Sequence, residues 1–148
     1  MEIKEFQVVR IAWQIVDYFQ LLETKKNYFN CLYQAYGDSP IYGRGCLLYI
    51  GQTNDFIRRT KEHLKSDFER INNQNYYVGE FKEPSRNDPG GIKKILDISE
   101  SILITMLKPS YNSSNVKDLQ SKAKGLKYIL LNEGDRGSIP LEISNIWW

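Results

Sequence analysis

Between Ile92 and Leu107 the apolar residues Ile92, Leu96, Leu103 and Leu107 recur at helical spacing, and the run stops at Lys108-Pro109. A helix with such a stripe must bury it against a second layer, and the strand-like segments that precede it make that layer a sheet. Glu100 falls inside the stripe. A carboxylate there is costly unless it is paired, protonated or bound to a cation. The structural explanations are a buried ion pair or a side chain that reaches the edge of the sheet. The functional one is Mg²⁺, which takes one or two carboxylates and keeps its waters. Asp97, three residues earlier, lies off the stripe and ranks second.

Residues 28–36 (YFNCLYQAY) are aromatic and strand-like, and residues 46–52 (CLLYIGQ) form a short apolar run ending just past Gly51. The glycines and proline between them predict a long hairpin loop. Thr53, Asn54 and Asp55 are cap residues for a helix running to about Arg70, and residues 73–81 (NQNYYVGEF) supply a third strand. From Ile3 to about Lys25 the apolar residues, among them Phe6, Val9, Trp13, Val16 and Leu22, read as a helix uninterrupted by proline or glycine. The expected fold class is therefore α+β: a small three-stranded antiparallel sheet flanked by helices, with an extra N-terminal helix over 3–25. The whole chain, 1–148, is expected to be a single domain with its core at about 28–112 and a C-terminal extension over 113–148.

Twenty basic residues stand against 18 acidic ones, a net charge of +2 that neither requires nor excludes a nucleic-acid partner. Cys31 and Cys46 do not make a disulfide framework, and a single histidine with two cysteines does not furnish an ordinary zinc site. Any metal is expected to be a hard cation on oxygen ligands. The charged N-terminus is unlike a signal peptide, and no apolar run reaches membrane-spanning length, so a cytoplasmic, soluble protein without membrane partners is expected.

Arg59 and His63 lie four residues apart and share a helix face that begins just after Gly51. The guanidinium matches phosphate oxygens, and the imidazole can move a proton. By themselves they read equally as the solvated face of RRTKEHLK.

In combination these elements resemble the GIY-YIG nucleases: Cys31-Leu32-Tyr33 in one strand, Tyr49-Ile50-Gly51 in the next, Arg59, His63, Glu100 on a later helix, and Asn112 beyond it. The first motif reads Cys-Leu-Tyr where the family name has Gly-Ile-Tyr; Tyr33 is its match, with Tyr36 and Tyr28 as alternatives. The resemblance implies a DNA endonuclease that hydrolyses phosphodiester bonds. It implies one Mg²⁺ or Mn²⁺ per site on Glu100, Arg59 stabilising the pentacovalent charge, and Tyr33 or Tyr49 handling the water with His63. Gly51 and Asn112 have supporting roles. Arg58, Lys61, Lys117, Lys122 and Lys124 are candidates for phosphate contacts. Lys127 adds to the same basic bias, and Ile146-Trp147-Trp148 is expected to pack on the domain or on a second copy. A stand-alone restriction, phage or mobile-element role is the leading expectation, with homodimerisation the route to double-strand cuts. A structure-selective repair nuclease and a catalytically silent DNA-binding or interaction module are the alternatives.

Overall fold

Val9, Ile11 and Trp13 are buried, while Val8 and Arg10 between them face solvent. That period of two, in a segment rich in β-branched residues, belongs to a strand. The N-terminal helix expected over 3–25 is thus replaced by β1 (Gln7–Val16) and a short helix α1 (Tyr18–Thr24), whose N-terminal amides are capped by Asp17. There follow β2 (Cys31–Ser39), β3 (Gly43–Thr53), α2 (Phe56–Leu64), β4 (Asn75–Phe81), α3 (Gly91–Leu107), β5 (Tyr128–Gly134) and β6 (Glu142–Ser144). These elements come from a computed structural model that describes residues 6–66, 68–82, 91–112 and 127–146.

The sheet is not the small three-stranded one expected. It has six strands in the order β3-β2-β4-β1-β5-β6 and is mixed and curled, because β1 runs parallel to β5 while every other pairing is antiparallel. Strand outweighs helix among the described residues, 40% against 28%, so the flanking helices do not dominate the architecture. Three strands fall where strands were expected, and β1, β5 and β6 double the sheet. The helix expected to reach Arg70 ends at Leu64, because the chain turns there to bring Phe68 back onto His63.

Each face of the sheet carries its own core. On one, Ile11, Trp13, Leu32, Ile50 and Leu130 pack against Ile95, Ile98, Ile102 and Leu103 of α3. On the other, Cys31, Tyr33, Ala35, Tyr76 and Val78 meet Leu21 of α1, Phe56 of α2 and Phe68. Since β3 is the edge strand, α2 and α3 approach the same open edge from opposite sides. No helix among the described residues is long and apolar enough to cross a membrane.

Candidate active site

Tyr33 and Gly51 are cross-strand partners in the β2–β3 pair. A β-carbon added to Gly51 would lie 2.6 Å from Cζ and from Oη of Tyr33, so the missing side chain is the space that the phenol occupies. The ring is 1% exposed, and its hydroxyl lies 2.7 Å from Nε2 of His63, which is also 1% exposed. Tyr49 stacks on Tyr33 with ring centres 5.8 Å apart and meets His63 edge-on at 4.8 Å. Phe68 stacks on the other side of the imidazole at 4.5 Å. Neither Tyr28 nor Tyr36 competes for this position. Tyr28 packs against Phe56, while the Tyr36 hydroxyl bonds to Gln34 and Ser138.

The position of His63 follows from α2. Asp55 caps the helix by accepting from the Arg58 amide, and Asn27 accepts from the Ile57 amide, which ties the helix start to the segment before β2. Phe56, Thr60 and His63 then fall on the buried face. Arg59 lies at the boundary, its side chain 35% exposed and bonded to Glu62 at 3.0 Å. It also hydrogen-bonds Tyr33 and Tyr49. Burial opposes the guanidinium charge, but Tyr33, Glu62 and Tyr49 outweigh it and hold Arg59 firmly protonated. Burial raises the Tyr33 pKa, with Tyr49 adding and Arg59 opposing, so Tyr33 is a neutral phenol around neutral pH. With Arg59 donating to its oxygen, the phenol proton is directed at Nε2 of His63.

Glu100 does not join that cluster on the same face. It is half-buried on α3 rather than sealed in the apolar stripe. Gln52 alternates with Gly51 along β3 and so points to the α3 side. Its Nε2 donates to Glu100 Oε2 at 2.5 Å and to Asp97 Oδ1 at 2.6 Å. Lys93 Nζ completes the group, 3.0 Å from Asp97 Oδ1 and 3.1 Å from Gln52 Oε1. A cleft of about 540 Å³ wraps the strand edge and links the two halves, lined by Asn30, Gln52, Thr53, Asn54, Arg58, Arg59, Glu62, Lys93 and Leu96.

Asp97, Gln52 and Lys93 are the residues that the sequence reading ranked low or passed over. The signal was present in the spacing Lys93, Asp97, Glu100, which puts all three on one side of a helix. Two hard carboxylates converging on one amide fit a divalent cation that retains several waters. Among the described residues no group of three or more His, Cys, Asp or Glu side chains is arranged to hold a metal, so any ion here depends on those two and on water.

Asn112 supports β3 rather than bonding to Glu100 as expected. Its Oδ1 accepts from the Ile50 amide at 2.9 Å and its Nδ2 donates to the Ile50 carbonyl at 2.8 Å, pairing the strand edge between Tyr49 and Gly51. Arg58 and Lys61 are exposed on α2; Arg58 pairs with Glu62 at 2.6 Å and reaches Asn54 at 2.9 Å. Lys117, Lys122, Lys124, Trp147 and Trp148 lie outside the described residues.

No family model matches the sequence, and no curated protein or solved structure is detectably similar to it.

Proposed function

We propose that the chain is a metal-dependent DNA endonuclease of the GIY-YIG kind. The observation that carries this reading is the linked group Tyr49, Tyr33 and His63 under Arg59, packed into the space left by Gly51. Arg59 is the one permanently charged group of that cluster and lines the cleft, so it receives the scissile phosphate and stabilises the charge that grows as water attacks. Tyr49 is half-exposed whereas Tyr33 and His63 are sealed. Tyr49 therefore meets the attacking water, and its proton passes by way of the Tyr33 hydroxyl to Nε2 of His63. Tyr33 gives up one proton as it receives another, so no phenolate need persist at a position whose burial disfavours it. Glu100 and Asp97 are the residues that would hold Mg²⁺ or Mn²⁺, which would supply positive charge for the phosphate and the leaving 3′ oxygen. Arg58 and Lys61 extend the cationic surface along α2 for the flanking phosphates.

The test is nicking of supercoiled plasmid with Mg²⁺ or Mn²⁺. Wild type should nick, while Glu100→Ala and Arg59→Ala should lose at least about 100-fold in rate, as expected when a charge-stabilising group is removed. Equal inactivity of wild type and Glu100→Ala across metals and substrates, branched DNA included, would sink the catalytic reading. The near-complete burial of Tyr33 and His63 favours one second reading, a silent DNA-binding module in which the pair is a core network. DNA affinity insensitive to Mg²⁺ and to Arg59→Ala, with no cleavage, would support that module instead.

A further inference from the structure

We infer that Gln52 positions the metal-binding carboxylate: its amide ties Glu100 to Asp97 and makes Asp97 the second carboxylate for the same divalent cation. The inference rests on the nuclease reading and adds two residues to its metal seat.

Gln52 occupies the seam of the site. Its neighbour Gly51 faces the phenol of Tyr33, whereas Gln52 itself faces α3 across the open sheet edge. Asp97 and Glu100, three residues apart on one helix, are like charges that repel. A side-chain NH₂ has two N–H groups, and Nε2 of Gln52 lies within hydrogen-bond distance of one oxygen from each carboxylate. The remaining Gln52 oxygen accepts from Lys93, which also pairs with Asp97. The whole group is held at one point by a single residue of the edge strand.

The charges decide what such a point attracts. An amide is neutral, so two carboxylates against one ammonium leave a net negative charge where the amide gathers them. Lys93 is a weak counter-ion, because its side chain is 75% exposed and the pair is screened by solvent. A divalent cation outcompetes it. Two carboxylates and several waters satisfy Mg²⁺ or Mn²⁺ without a third protein carboxylate. Residues that hold a metal's ligands in place typically contribute 10- to 100-fold to affinity, which is the size of effect to look for at Gln52.

The experiment is direct titration with Mn²⁺, read by electron paramagnetic resonance of the free ion, on wild type and on Glu100→Gln, Asp97→Asn, Gln52→Leu and Lys93→Met. Circular dichroism and thermal melting of each variant are recorded alongside. Glu100→Gln should abolish binding. Asp97→Asn and Gln52→Leu should each weaken it about 10-fold or more. Lys93→Met should tighten it, because a competing cation is gone. Melting temperatures that fall for Gln52→Leu and Asp97→Asn while Mn²⁺ affinity stays at the wild-type value would overturn the inference and leave the nuclease reading standing. If Gln52→Leu does not fold, Asp97→Asn and Lys93→Met decide the matter with their opposite signs. A wild-type protein that binds no Mn²⁺, or binds it equally well without Glu100, would overturn both the seat and the metal-dependent mechanism.

Discussion

A β-carbon at position 51 would press on Tyr33, and Tyr33 cannot retreat because Tyr49, Phe56 and His63 enclose its ring. Gly51→Ala should therefore cost about 1–3 kcal/mol in urea unfolding, the usual penalty for overpacking a full site. In a Tyr33→Ala background that penalty should vanish. A double-mutant cycle measures the coupling, and additive losses would show that the glycine serves something other than the phenol. The two tyrosines should separate by readout. Tyr33→Phe removes a buried bond to His63 and should lose about 1–3 kcal/mol of stability. Tyr49→Phe, at a half-exposed position, should cost less stability and at least about 10-fold in nicking rate, the lower range for a proton-transfer group. Full nicking activity in Tyr49→Phe would remove Tyr49 from the proton route. The cluster was legible residue by residue, because Tyr33, Tyr49, Arg59 and His63 sit at spacings that a strand pair and a following helix bring together. What spacing did not carry was the sheet face of each residue. Glu100 was grouped with Tyr33, although Gly51 and Gln52, adjacent in sequence, divide the two sides.

Strand β1 is the element where periodicity misled. Its apolar positions are dense enough to fit a helical pattern from Phe6 to Leu22, but Val9, Ile11 and Trp13 alternate with exposed neighbours, and Asp17 marks where a helix begins. The stronger reason for a strand is long-range. Trp13 lies over Gly79 of β4, where an added β-carbon would be 2.8 Å from the indole, and its Nε1 donates to Asn132 Oδ1 of β5 at 2.9 Å. No local reading supplies partners 66 and 119 residues away. Asn132 is fully buried and also donates to the Pro140 carbonyl, so it joins β1 and β5 to the segment before β6. Trp13→Phe should strand the Asn132 oxygen and cost about 1–3 kcal/mol beyond any loss of packing. Replacing Asn132 by Leu in the same protein should recover part of that loss if the unsatisfied oxygen is its source. An unfolding midpoint unchanged in Trp13→Phe would mean that the bond does not hold the parallel pair.

For the whole molecule, the two cores and the exposed ion pairs set opposite limits on stability with pH. Burial pushes the Cys31 thiol up to about 12, with the charges of Glu80 and Asp55 adding to it, and burial likewise raises Tyr33, Tyr36 and Tyr18. A group whose pKa is higher in the folded chain contributes its full stability below the unfolded value and loses it as pH climbs toward the folded one. For Cys31 that window opens at its ordinary value of 9.0 and closes at about 12, and the tyrosines act from 10.0 upward. On the acid side Asp55 is lowered chiefly by the Arg58 amide, Glu62 by Arg59 and Glu133 by Lys82. Their contributions are present above the ordinary carboxylate values and fade as pH falls through the depressed ones. These carboxylates are at the surface, where water and salt weaken every pair. The stability profile should therefore be lopsided: a gentle, salt-sensitive decline in acid and a steeper, salt-insensitive one above about pH 9. Urea midpoints between about pH 4 and pH 11, at low and high salt and with the thiols kept reduced, measure it. Cys31→Ala lowers the whole curve by leaving a cavity, but it should also flatten the first part of the alkaline fall, because the thiol no longer releases its proton on unfolding. An alkaline limb of unchanged slope in that variant would assign the fall to the tyrosines alone, and adding Tyr33→Phe would then have to flatten it.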